Sequence, residues 1–248
     1  MKKSFFILCL FISFQLLSQE KLKITYDHQY ITDFDLTDEI KKNPEFVAAI
    51  RKAREQIHSF ELLIDGDESN FIPIEKIDNS PPQGIKISFS KGGRELNYRN
   101  ISKGYYLREL ENFNQKFIIH DSLKKYDWQI ERSKDKILNY EVRKAVAQID
   151  SLTTVTAWYT PEIPLKHGPD DYWGLPGLIL KVEVDKNTNN RKNHHYFSAT
   201  NIQIADSKES IKIPTKGKKL SQKEYQELEK TKIEEMRQMY KDGVDTSD

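Results

Sequence analysis

The side chains best suited to chemistry in this sequence gather between residues 156 and 180. Trp158 and Tyr159 precede, and Tyr172 and Trp173 follow, a stretch that holds His167, Asp170 and Asp171. Four aromatic rings with an imidazole and two carboxylates can line a partly apolar site in which a few polar groups orient a ligand. The same rings, set beside Gly and Pro, also plug the end of a barrel, and for any single one of them plugging is the reading that packing favours. His194-His195 is the other histidine cluster, but adjacent strand residues point to opposite faces, so one strand does not offer both to a single ion. A Gly-x-Ser-x-Gly elbow, a His-Glu-x-x-His helix and a phosphate loop are all absent. Paired carboxylates discriminate nothing in a chain with 38 acidic residues. The sequence supplies no catalytic set, calls for no cofactor or metal, and points away from an enzyme.

Regular structure breaks where these residues lie. Pro161, Pro164, Gly168 and Pro169 interrupt the chain after Trp158, and Gly174-Leu175-Pro176-Gly177 makes a tight turn into the apolar run Leu178-Ile179-Leu180. A connection of this length is commonly functional. The ligand-binding candidates are therefore Trp158, Tyr159, His167, Tyr172, Trp173, Gly174, Pro176 and Gly177, with His167 at the edge.

The elements that position this loop are mostly strands. Leu22, Ile24, Tyr26, His28 and Tyr30 alternate with polar residues, the period-two pattern of a half-buried strand. Further alternation runs through His58–Ile64 and Ile85–Phe89, the latter ahead of Lys91-Gly92-Gly93. Ile118 lies in a short apolar stretch, and Trp128 with Ile130, then Tyr140 with Val142 and Val146, mark later strands. Asp150-Ser151 turns the chain into Leu152–Trp158, and the polar run Asp185–Arg191 is read as a loop between Leu178–Val184 and Tyr196–Ile204. Asn43-Pro44 starts a helix whose Phe46, Ala49, Ile50 and Ala53 share one face. Ser221 and Glu224 form a capping box ahead of a charged helix with a stripe of Tyr225, Leu228, Ile233, Met236, Met239 and Tyr240, ending near Gly243. The expected fold is α+β and mostly antiparallel β: a curved sheet or half-open barrel with an N-terminal helix and a charged C-terminal helix. A closed barrel and a sandwich stay open as alternatives.

Met1-Lys2-Lys3 followed by the apolar run from Phe5 to Leu17 reads as a signal peptide cleaved near Ser18 or Gln19, and the run is too short to span a bilayer. Cys9, the sole cysteine, lies inside that run and is discarded with it, which leaves no disulfide and no lipid-anchoring thiol. The expected layout is a signal peptide at 1–19, a β-rich domain at 20–215, and a charged C-terminal helix and tail at 216–248. The chain carries 39 Lys and Arg against 38 Asp and Glu, a balance that gives no reason to expect nucleic-acid binding. No later stretch is apolar enough to cross a membrane, so the mature chain is expected in the periplasm or outside the cell.

Gly174 to Ile179 spells Gly-Leu-Pro-Gly-Leu-Ile, and the chain resembles the GLPGLI family of exported Gram-negative proteins. Ala157-Trp158-Tyr159-Thr160, Ile163-Pro164 and Gly168-Pro169 resemble that family's pattern, as do Trp128-Gln129-Ile130, Tyr140 and Lys144-Ala145. Family members commonly carry a cysteine near Val142 and a glycine where Asn139 stands, and this chain has neither. The resemblance implies an envelope protein of uncharacterised function, often encoded beside TonB-dependent outer-membrane receptors, with no catalytic residues to carry over. Two functions follow as expectations: a periplasmic carrier sheltering an apolar or peptide ligand in a curved sheet, or an accessory protein that docks on an outer-membrane receptor. An envelope enzyme is the weakest of the three.

Overall fold

The structure is a computed structural model that describes residues 21–33, 38–75, 96–188 and 191–242. The expected signal segment with Cys9, the expected strand at Ile85–Phe89 with its turn, and the helix stop at Gly243 lie outside the described residues.

Among the described residues, twelve strands make one sheet. The first six are β1 (Leu22–Asp33), β2 (Ile57–Asp65), β3 (Glu68–Pro73), β4 (Leu96–Asn100), β5 (Tyr105–Asn112) and β6 (Gln115–Ser122). The rest are β7 (Gln129–Ile137), β8 (Tyr140–Asp150), β9 (Thr153–Thr160), β10 (Leu178–Thr188), β11 (Arg191–Ile204) and β12 (Lys218–Leu220). Their spatial order is β12-β6-β5-β4-β3-β2-β1-β11-β10-β9-β8-β7, and every pairing is antiparallel except that of β12 with β6.

Connectivity forces this sheet to curl. Strands β6 and β7 lie ten places apart in that order, yet only residues 123–128 join them. On a flat sheet ten spacings would separate them by roughly 48 Å, whereas the seven residue steps of the connector reach about 25 Å fully extended. The sheet must therefore bend until its two ends approach. The described strands do not close into a barrel, since β7 and β12 are the edges of their sheet.

Register shows what the curl encloses. Ile24 faces Leu62, Leu62 faces Phe71, Phe71 faces Asn97, Asn97 faces Arg108 and Arg108 faces Ile119, so these six share the inner face. The row is apolar over β1–β3, polar over β4–β5 and apolar again at β6. The main core uses its first part: Ile24, Tyr26, Leu62, Ile64 and Phe71 pack with Val155, Ala157, Val182 and Phe197 from the other half of the sheet.

Two short helices, α1 (Asp38–Lys41) and α2 (Pro44–Glu55), follow β1. Asn43 caps α2 by accepting from the Phe46 N–H at 3.1 Å, and Pro44 occupies the first turn. Helix α2 buries Ile50 and Ala53. It lies on the outer face of β1, where the Gln29 amide donates to the Arg54 carbonyl at 3.3 Å. The C-terminal helix α3 (Gln222–Asp242) opens with the predicted capping box: Ser221 Oγ accepts from the Glu224 N–H at 3.2 Å, and the Glu224 carboxylate accepts from the Ser221 N–H at 2.7 Å. Its first turn docks Tyr225 against Phe117, Leu110 and Ile119 on the inner face of β5–β6.

One expected loop is shorter than its composition suggests. The polar run Asp185–Arg191 mostly continues the strands, because Asp185 pairs with Thr154 on one side and with His194 on the other. Neighbours on both sides override the turn preference of the residue types.

Candidate functional site

The loop between β9 and β10, residues 161–177, folds inward over the mouth of the curled sheet. Its backbone is tied internally, with the Gly174 N–H donating to the Lys166 carbonyl at 3.0 Å and the Ile179 N–H to the His167 carbonyl at 3.0 Å. Two glycines permit the fold. A Cβ at Gly177 would sit 2.1 Å from the Thr160 carbonyl oxygen, and one at Gly168 would sit 2.8 Å from both the Ile179 Cβ and the Tyr172 oxygen. Only a residue without a side chain lets these backbones meet.

Three side chains from β4 and β5 clamp the loop from across the sheet. Arg99 is 3% exposed, and its guanidinium donates to the Tyr172 carbonyl at 3.1 Å and to the Asp170 carbonyl. Asp170 adopts a left-handed φ of +48°, a conformation that aspartate tolerates and that this bond secures. Arg108 pairs with the Asp171 carboxylate at 2.5 Å, and the Asn97 amide donates to the same oxygen at 3.3 Å. Burial tends to raise the Asp171 pKa, but Arg108, Arg99 and the Asn97 hydrogen bond outweigh it and hold the carboxyl below the usual range. The polar stretch of the inner row is thus the seat of the loop.

His167 is a structural tie. It is 1% exposed, and its Nε2 lies 3.1 Å from the Gly66 carbonyl in the β2–β3 turn, which makes Nε2 the protonated nitrogen. Burial and the nearby Arg99 charge lower its pKa to about 3, the Gly66 bond opposing them. The imidazole is therefore neutral at any physiological pH.

The aromatic candidates divide between filling and fastening. Tyr159 and Tyr172 are buried in the main core beside Leu175. Trp158 is half-buried against that core. Trp173 is also half-buried, and its indole N–H donates to the Lys124 carbonyl at 2.7 Å. In return the Trp128 indole donates to the Trp173 carbonyl at 2.9 Å. These two bonds fasten the loop to the β6–β7 connector, where Tyr126 stacks on Trp128 and leans on Tyr172. Gly174 and Pro176 are exposed, and Gly177 is buried.

The structure thus brings Tyr159, His167, Tyr172 and Gly177 together as interior packing, with Trp173 at the rim. Sequence reasoning missed Asn97, Arg99 and Arg108, and it placed Trp128 in a strand when it lies just before β7. It also anticipated the separation of His194 from His195: His194 bonds Asp185 at 2.7 Å, whereas His195 meets His28 on the inner face. Among the described residues no group of three or more ligating side chains converges on a point that could hold a metal ion. No helix among them is long and apolar enough to cross a membrane. An open cleft of about 580 Å³ lies at the β7–β8 hairpin, lined by charged or polar side chains including Lys134, Lys136, Glu141 and Glu162.

Residues 147–181 match a family model described as a protein of unknown function (Porph_ging). That stretch runs from β8 to β10 and contains the whole inward loop. Two solved structures of PNGF-II, in the P21 and C2 space groups, are similar in fold. Each is 20% identical to this chain, with TM-scores of 0.55 and 0.50, over 84% and 82% of its length. The chain spans about a third of those proteins, 32% in each case, so the likeness describes a shared fold. No curated protein sequence matches the chain.

Proposed function

We propose that this chain is an exported envelope protein of the GLPGLI type that acts by docking on another envelope component. Its filled β-domain is the rigid support, and α3 is the recognition element. The observation that carries this reading is the apolar stripe of α3. Beyond Tyr225 and Leu228 the stripe continues through Ile233, Met236 and Met239, which are 42%, 43% and 66% exposed. Methionine is the apolar side chain best able to adapt to a second surface. The carrier reading draws less support, because Tyr159, Tyr172 and Leu175 occupy the interior a ligand would need. The family resemblance directs attention to an outer-membrane receptor of the TonB-dependent kind as the partner.

A photo-crosslinking residue at position 236, introduced in the native host, tests this. A single outer-membrane protein captured at 236, and not at Lys230 on the same helix, is the expected result. Absence of any adduct at 236, together with a lipid or peptide retained by the purified protein in native mass spectrometry, would replace docking with carriage.

A further inference from the structure

The inner face carries a second cluster that the loop leaves untouched. Along β1, Tyr26, His28 and Tyr30 point inward, with His28 opposite His58 on β2 and opposite Phe197 on β11. His28 stacks on Phe197 at a centroid separation of 4.3 Å and meets the edge of Phe60 at 6.0 Å. These rings fix its plane. On β11, His195 lies diagonally across from it, two residues from Phe197, and leans on Tyr30 at 5.9 Å. The outcome is an Nε2 of His28 at 3.3 Å from the Nδ1 of His195, with the rings 78° apart.

Two imidazole nitrogens at this separation must share one hydrogen, one ring donating and the other accepting. The same separation is the edge of a metal tetrahedron: two nitrogens each about 2.0–2.1 Å from zinc lie about 3.3–3.4 Å apart. We propose that His28 and His195 form a two-imidazole chelate for a divalent first-row transition-metal ion such as zinc: the ring that donates the shared hydrogen passes it through solvent to its own second ring nitrogen, so that two neutral imidazoles each offer a lone pair to the ion. Both rings are half-buried, so solvent completes the coordination shell. The other titratable groups facing the pair are His58 and Tyr30, and no carboxylate joins them in a three-ligand cluster among the described residues. A site with two protein ligands and open positions holds its ion exchangeably, unlike a closed structural zinc site.

Titration of the full purified chain with Zn²⁺ at pH 7.5, followed by calorimetry, is the test. Saturable binding of one ion per chain is expected. His28→Gln and His195→Gln should each weaken it at least about tenfold, whereas His194→Gln, on the outer face with Asp185, should leave it unchanged. Thermal unfolding of each variant checks that it folds. In the unsubstituted chain, imidazole nitrogen resonances of His28 and His195 should move with Zn²⁺ while those of His167 stay fixed. No saturation at millimolar Zn²⁺, an affinity in the His28 or His195 variant equal to that of the unsubstituted chain, or resonance shifts confined to other histidines would overturn the proposal.

Discussion

Replacing His167 by glutamine should flatten the acid side of the stability profile. In the folded chain this imidazole has a pKa of about 3, against an ordinary value of 6.5 in the unfolded chain. Between those two values the unfolded chain binds one proton more than the folded chain. Stability is therefore full above about pH 6.5 and is lost as pH falls, by about 1.4 kcal/mol per pH unit. Over the whole window the loss amounts to roughly 4–5 kcal/mol, a large share of the stability of an ordinary domain. Glutamine keeps an N–H for the Gly66 carbonyl but does not titrate. Urea unfolding followed by tryptophan fluorescence at intervals from pH 4 to 7 gives the slope for each protein. His28 contributes to the same window in both, so the difference isolates His167. The His167→Gln slope should be shallower by about 1.4 kcal/mol per pH unit. The absolute stability of the variant does not matter to the argument. Parallel slopes would refute the claim that a buried neutral imidazole ties the loop to the β2–β3 turn.

Arg99→Met leaves the Asp170 and Tyr172 carbonyls without their charged donor and should cost about 3 kcal/mol or more in urea unfolding. Faster proteolysis within 161–177 should accompany it. Gly177→Ala drives a Cβ onto the Thr160 carbonyl oxygen and should destabilise by about 3 kcal/mol, whereas Gly66→Ala, with open space around it, should suffer only the strain of its positive φ. Trp128→Phe and Trp173→Phe each delete one indole donor at about 1 kcal/mol, and the double variant should fall short of the sum because both bonds fasten the same loop to the same connector. Ser221→Ala should lower the helical signal of α3 and cost about 1 kcal/mol, while the near-ultraviolet spectrum of the three half-buried tryptophans stays unchanged.

Much of this fold is legible because its elements announce themselves locally. The alternation of β1, the Asn43-Pro44 cap of α2 and the Ser221/Glu224 box of α3 depend on residues within a turn of one another, and the structure reproduces them. The middle strands do not behave so. Strands β3 and β4 bury Ser69, Asn70, Asn97, Arg99 and Asn100, so the usual apolar alternation is missing where it would have marked them. The partner that makes the burial of Arg99 tolerable is a carbonyl 73 residues away, and nothing in the local pattern reveals it. The aromatic loop shows the same limit. Composition gathers Tyr159, Tyr172 and Trp173 in one place. Which ring turns inward depends on the β6–β7 connector, whose Lys124 carbonyl and Trp128 indole pull Trp173 to the rim.

The position of β1 bears on how the chain folds. Strands β2–β6 and β7–β11 each pair in sequence order, through short turns apart from the inward loop and the stretch of residues 74–95 between β3 and β4, and each set is built from pairings between sequence neighbours. Joining them falls to β1, which pairs with β2 on one side and with β11 on the other, so that Leu22 meets Ile204. The central strand of the sheet is thus made first and completed last, across nearly the full length of the domain. Such a long-range pairing is slow to close. A chain threaded through a membrane with its N-terminus leading would carry two half-sheets with an unfilled seam until β11 emerged, and any handle on residues 22–33 would govern when the halves unite.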